Sequence, residues 1–108
     1  MKISKTIRNK IKGLIFGQAI GDALGLGTEF LSRSEVQQYY PQGISEYEQI
    51  VQDKHRARWN KGDWTDDTDQ FMCILNSIIK CQEIDLLDIA RQFYEWFKST
   101  PMGISTMD

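Results

Sequence analysis

The chain has 108 residues, 41% hydrophobic and 26% charged, with two prolines and a net charge of −2. That is the composition of one soluble globular domain, residues 1–108, with a modest core. It offers no generally basic surface for nucleic acid or a membrane. No stretch approaches the ~18–20 apolar residues of a membrane span. The basic opening MKISKTIRNKIK precedes GLIFGQAIG in the charge order of a signal peptide. Gln18 and Asp22 break that apolar run and no A-x-A site follows, so a cytoplasmic location is expected.

Ser4 to Leu24 reads as a first helix, with Ile7, Ile11, Leu14, Ile15 and Ala19 on one face at helical spacing. Gly13, Gly17, Gly21 and Gly25 recur every four residues along it. Glycine costs roughly 1 kcal/mol in a helix interior relative to alanine, so the stripe predicts a face that another helix or a ligand approaches closely. Gly25-Leu-Gly27 ends the helix, and Thr28-Glu29-Phe30 follows as a loop. The next helix start is a capping box, Ser32 with Glu35, flanked by Leu31 and Val36 at hydrophobic-staple positions. It should end near Tyr40, before Pro41.

Gln42 to Asp63 is a long polar connection of a kind that is often functional. Its basic cluster, Lys54, His55, Arg56, Arg58 and Lys61, reads either as solvated surface or as a contact to ligand phosphate. From about Asp66 to Cys81 a helix is predicted, with Phe71, Ile74, Leu75, Ile78 and Ile79 on its apolar face. A last helix, about Asp85 to Lys98, is N-capped by Asp85 and buries Leu86, Ile89, Ala90, Phe93, Trp96 and Phe97. Cys73 and Cys81 lie two turns or more apart on one helix, ~12 Å at ~1.5 Å per residue, too far for a disulfide, and read as buried thiols in a reducing compartment. No run alternates well enough to be a strand, so the class is all-α.

The densest chemistry is GDWTDDTDQFM, Gly62 to Met72, with Asp63, Asp66, Asp67 and Asp69 interleaved with Thr65 and Thr68. One reading is local: Thr65 caps the helix, and the aspartates of its first turn favour the positive end of the helix dipole. An EF-hand loop is excluded, because its sixth position would be Thr68 rather than Gly and its twelfth Ile74 rather than Glu. The other reading is a hard-cation site shared with other segments, because carboxylates and a threonine hydroxyl suit Mg²⁺ or Mn²⁺ better than Zn²⁺ or Cu²⁺.

Two motifs in order, GDALGLGTEF at Gly21 to Phe30 and GDWTDDTDQFM, resemble the N-terminal third of the ADP-ribosylglycohydrolase family, the dinitrogenase-reductase-activating-glycohydrolase-like ADP-ribosyl hydrolases. The resemblance implies an orthogonal all-α fold, here truncated to about four helices. It implies a binuclear Mg²⁺ centre, with Mn²⁺ as a substitute. On the matching positions it makes Thr65, Asp66 and Asp67 metal ligands. Glu29 becomes the loop glutamate beside the substrate ribose, and Glu29 and Asp66 the candidates for catalytic acid or base. The implied reaction is hydrolysis of the bond between ADP-ribose and a protein side chain or small acceptor. Its partner is ADP-ribose or an ADP-ribosylated protein.

Members of the family complete the metal centre with a second aspartate-rich motif, D-x-D-[ST], that this chain lacks. Pro101-Met-Gly-Ile104 looks like the start of a further family segment that breaks off at STMD. The expectation is a truncated chain that self-associates, or meets a second chain supplying the missing half. The alternative is a non-catalytic remnant that binds ADP-ribose or a partner protein.

Overall fold

A computed structural model describes residues 3–101, so the expected family segment from Met102 onward lies outside the described residues. Four α-helices and three 3-10 turns make up the described residues, with no strand among them, which is the all-α class expected. The chain divides after Asp63 into two compact units.

In the first unit, α1 (Lys5–Gly25) starts where Ser4 turns its side chain inward: Oγ accepts from the Ile7 N–H at 3.2 Å. A 3-10 turn, Leu26–Thr28, continues it. The short α2 (Arg33–Tyr39) carries the predicted capping box: Ser32 Oγ accepts from the Glu35 N–H at 3.2 Å, and Glu35 Oε1 accepts from the Ser32 N–H at 3.1 Å. That reciprocal bonding, from Ser32 above all, lowers the Glu35 carboxyl below its ordinary value.

The segment that reads as a structureless polar connection is in fact pinned. It contains 3-10 turns at Tyr47–Gln49 and Arg56–Arg58. The Gln49 side-chain oxygen accepts from the N–H groups of Ser45 and Glu46, at 2.8 and 2.9 Å. Tyr40 is buried, and its hydroxyl accepts from the Val51 N–H at 2.9 Å. Gln52 Nε2 donates to the Trp59 carbonyl at 2.8 Å, and Lys61 Nζ to that of Glu48 at 3.0 Å. Ala23, Leu26, Tyr40, Ile50 and Trp59 are the buried apolar residues that make the core of this unit. Side chains here supply the backbone partners that a helix or ladder would otherwise provide.

Gly27 explains itself by that packing. A Cβ there would lie 2.7 Å from Ile44 Cδ1 and 3.3 Å from both Ile50 Cγ1 and the Tyr40 hydroxyl. The stripe on α1 is the opposite case: around Gly13, Gly17, Gly21 and Gly25 a Cβ meets nothing within 4 Å. The predicted close approach is therefore not made by any described residue. Nor is the apolar face of α1 covered: Ile7, Ile11, Leu14, Phe16 and Ile20 are exposed, and only Ala23 is buried. Gly17→Ala and Gly21→Ala should accordingly stabilise the isolated chain, by roughly 0.5–1 kcal/mol each, because helix propensity is gained and nothing is displaced. Thermal melts followed by circular dichroism check this; a fall in Tm would mean that the stripe is occupied in solution.

In the second unit, α3 (Asp66–Cys81) and α4 (Leu86–Lys98) pack on each other. The paired positions Asp69 with Trp96, Cys73 with Gln92 and Lys80 with Asp88 run in opposite order, so the two helices form an antiparallel hairpin. Its turn begins at Gln82, a left-handed C-cap with φ 58°, and ends at Asp85, whose side chain accepts from the Asp88 N–H at 3.1 Å.

The buried face of this hairpin is not the expected one. Thr68, Cys73, Ser77 and Asp88 are buried, while Ile74, Ile78 and Ile79 of α3 are exposed. Leu86 and Phe97, expected inside, are 77% and 56% exposed. Within its own unit α4 has one helical neighbour, so only one side of its apolar surface is covered. Both cysteines are free, but only Cys73 is buried as expected; Cys81, near the C-terminal end of α3, is half-buried. Burial raises both thiols above their ordinary value, with Asp69 adding to the effect at Cys73 and Asp88 at Cys81. They are therefore poor nucleophiles.

Asp88 sits under the Lys80 ammonium, 2.7 Å away, whose hydrogen bond is the main cause that lowers its carboxyl from 3.8 to about 2. A carboxylate depressed in the folded state stabilises the fold above its unfolded value and loses that contribution on the way down to its folded one. Acid unfolding should therefore draw on Asp88 between about pH 4 and pH 2. Asp88→Asn should flatten stability over that window, measured by urea titration at a series of pH values. An unchanged acid limb would count against the ion pair.

Candidate active site

The acidic stretch resolves into residues with different tasks. Asp63 closes a turn: its Oδ2 accepts from the Asn60 N–H and its own N–H donates to the Asn60 carbonyl, both at 3.0 Å. Gly62 makes that turn possible at φ 99°, a left-handed value that favours glycine, with the Tyr47 ring 3.3 Å from where a Cβ would stand. Asp69 receives two indoles: Trp64 Nε1 donates to Oδ1 and Trp96 Nε1 to Oδ2, each at 2.9 Å. Neither indole partner was legible in the sequence, because each depends on how α3 meets its neighbours.

Thr65 is the N-cap of α3. It is buried, and its Oγ1 accepts from the Asp67 N–H at 3.3 Å. Asp66 and Asp67 follow in the first turn, where the helix dipole favours their charge. The local reading of this stretch is therefore present in the structure. It does not exhaust the chemistry, because Asp66 is half-buried and carries no hydrogen bond or ion pair among the described residues.

The donor types here, one hydroxyl and two carboxylates, match a hard dication in kind. They are a partial set. Mg²⁺ takes six oxygens, and among the described residues no three His, Cys, Asp or Glu side chains converge as a metal cage.

Glu29 belongs to the first unit. It follows the Leu26–Thr28 turn, and its Oε2 lies 2.9 Å from Nε2 of His55. The next residue, Phe30, has φ 63°, a conformation that costs a bulky side chain roughly 1–2 kcal/mol. Its ring is 86% exposed and lies 5.4 Å from the imidazole of His55. Arg56, expected among solvated surface charges, is 2% exposed. Its guanidinium donates to the Leu26 carbonyl at 2.7 Å, to the Glu29 carbonyl and to the Asp53 carboxylate. The backbone N–H of Arg56 donates to Asp53 as well, and this bond is the main reason the Asp53 carboxyl is lowered. Lys54, His55 and Arg58 line an open cavity of about 400 Å³ beside these groups. The basic cluster thus has two characters, one arginine inside and the remaining cations outside. Charge alone could not tell them apart.

The ADP-ribosylglycohydrolase family model matches residues 3–107, nearly the whole chain. The chain belongs to the ADP-ribosylglycohydrolase family. It is 30% identical over 106 residues to the ADP-ribosyl-[dinitrogen reductase] glycohydrolase of Rhodospirillum rubrum, covering 92% of this chain and 32% of that protein. It is 30% identical over 90 residues to the ADP-ribosylarginine hydrolase Tri1 of Serratia proteamaculans, covering 83% and 22%. An uncharacterised protein of Archaeoglobus fulgidus is 32% identical over 94 residues, covering 87% and 29%. The chain therefore spans less than a third of the length of these relatives. No solved structure matches it. No helix among the described residues is long and apolar enough to cross a membrane.

Proposed function

We propose that this chain carries part of the site of a Mg²⁺-dependent hydrolase that cuts the glycosidic bond between ADP-ribose and a protein side chain or small acceptor. The observation that carries the reading is the division of labour in the acidic stretch. Asp63 and Asp69 are committed to a turn and to two indoles, which leaves Asp66 without a partner beside Asp67 and the Thr65 hydroxyl. Family membership and the names of the relatives support it.

Thr65, Asp66 and Asp67 would hold the dication, with Mn²⁺ as a substitute. Bound there, it would supply Lewis-acid polarisation of ribose hydroxyls and a water of lowered pKa. The chain's own part is to bind and orient. Asp66 offers a carboxylate next to the ligand group, and Glu29, at the start of a pinned loop, is the other candidate for catalytic acid or base. Three protein donors are half of an octahedral set, so the remainder would come from water, from substrate or from groups outside residues 1–108. Two free cysteines suit a reducing, cytoplasmic setting.

A second reading is a non-catalytic chain that binds ADP-ribose or a partner protein. It is favoured by the open apolar residues of α1 and α4. Calorimetric titration with ADP-ribose, first in excess Mg²⁺ and then in EDTA, tests the proposal. Binding that requires Mg²⁺, followed by release of ADP-ribose from an ADP-ribosylated substrate, is the expected result. Binding without turnover would leave the second reading standing. A folded chain that binds nothing in either buffer would reduce the family relationship to ancestry.

A further inference from the structure

His55 stands between two groups that constrain its proton. On one side the Arg58 guanidinium approaches Nδ1, with Arg58 Nε also donating to the His55 carbonyl at 3.0 Å. On the other, Nε2 meets Glu29 Oε2 at 2.9 Å. A guanidinium has only donors, so Nδ1 must accept. The ring proton of the neutral imidazole is then on Nε2, where it donates to the carboxylate. The ring is also packed: Trp59 meets it edge-on with centroids 5.2 Å apart, and Phe30 lies tilted against it. Glu29 is held a second time through its backbone, by buried Arg56 at the carbonyl. Its Oε1, by contrast, carries no hydrogen bond among the described residues.

We propose that His55 is a positioning residue for Glu29: Arg58 locks the imidazole in the Nε2–H tautomer, and the imidazole fixes one carboxylate oxygen so that the other is presented to ligand. The catalytic meaning of this rests on the function proposed above, whereas the tautomer does not. A neutral histidine is enough to make the bond, so no proton need be taken up for Glu29 to be placed. Arg58 acts only through His55.

His55 is the sole histidine of the chain, which makes the test clean. In a long-range ¹H–¹⁵N spectrum of the labelled chain above neutral pH, one imidazole should appear, protonated on Nε2. Arg58→Ala should let the tautomers mix, and Glu29→Ala should move the Nε2 proton resonance. For the role itself, His55→Ala should weaken Mg²⁺-dependent ADP-ribose binding about tenfold, the loss of one hydrogen bond to a charged group. His55→Gln, which places an amide N–H near the position of Nε2, should restore most of it. A ring protonated on Nδ1, a spectrum indifferent to Glu29→Ala, or equal binding by the alanine and glutamine variants would overturn the proposal. A chain that shows the Nε2–H tautomer yet binds no ADP-ribose would instead sink the hydrolase reading, and with it the positioning role, while leaving the hydrogen-bond chain intact.

Discussion

Asp66→Asn and Asp67→Asn are each expected to weaken Mg²⁺-dependent ADP-ribose binding by about a hundredfold, the upper end of what the loss of a group that merely supports a ligand costs. Each removes a full negative charge from a helix start whose dipole already disfavours a cation. Neither removes the cap, because Thr65 supplies it. The helix should therefore survive, with an unchanged circular dichroism spectrum. Asp69→Asn is the control. It weakens the acceptor of two indole N–H groups and should lower stability by about 1–2 kcal/mol, with Mg²⁺ dependence retained. If Asp69→Asn abolished binding and Asp66→Asn did not, the assignment of tasks within the acidic stretch would be wrong.

Arg56→Ala should be the most destabilising change in the first unit, at about 2–4 kcal/mol. The substitution leaves the carbonyls of Leu26 and Glu29 without their donor and Asp53 without its cation. Asp53 is partly exposed, so water takes up some of that loss and the upper end of the range is not reached through the ion pair alone. Lysine should rescue little, because one ammonium cannot serve three acceptors lying in different directions. Lys54→Ala, on the exposed side of the same cluster, should change stability by less than about 0.5 kcal/mol. Chemical denaturation of the three variants measures the differences. Equal midpoints for Arg56→Ala and Lys54→Ala would show that the guanidinium does not hold the loop.

What the sequence revealed was local. Ser32, Thr65 and Asp85 cap helices by bonds to N–H groups two or three residues away, and such bonds are written in the sequence itself. Helix boundaries followed to within a residue or two. The burial pattern did not follow. Periodicity identifies an apolar face but not whether anything covers it, and Leu14, Ile79 and Leu86 are exposed for want of a neighbour. Arg56 was misread for a related reason: an arginine is internal only when carbonyls from distant segments converge on it, here across about thirty residues of chain. The motifs drew attention to Thr65, Asp66, Asp67 and Glu29, whose proposed roles await the experiments above. The pairing of His55 with Glu29 and Arg58 was not legible, because it needs the loop to fold back.

The placement of the tryptophans has a practical consequence. Trp59 is buried in the first unit beside His55 and Arg58. Trp64 and Trp96 share one carboxylate in the second, a few residues from Asp66 and Asp67. The chain thus contains its own optical probes, one colour of signal for the Glu29 loop and another for the start of α3. With Trp64 and Trp96 changed to phenylalanine, emission would report melting of the first unit alone; with Trp59 changed, the second. Comparing the two curves would show whether the halves of the chain unfold together or in succession, and adding Mg²⁺ would show which of them a cation touches.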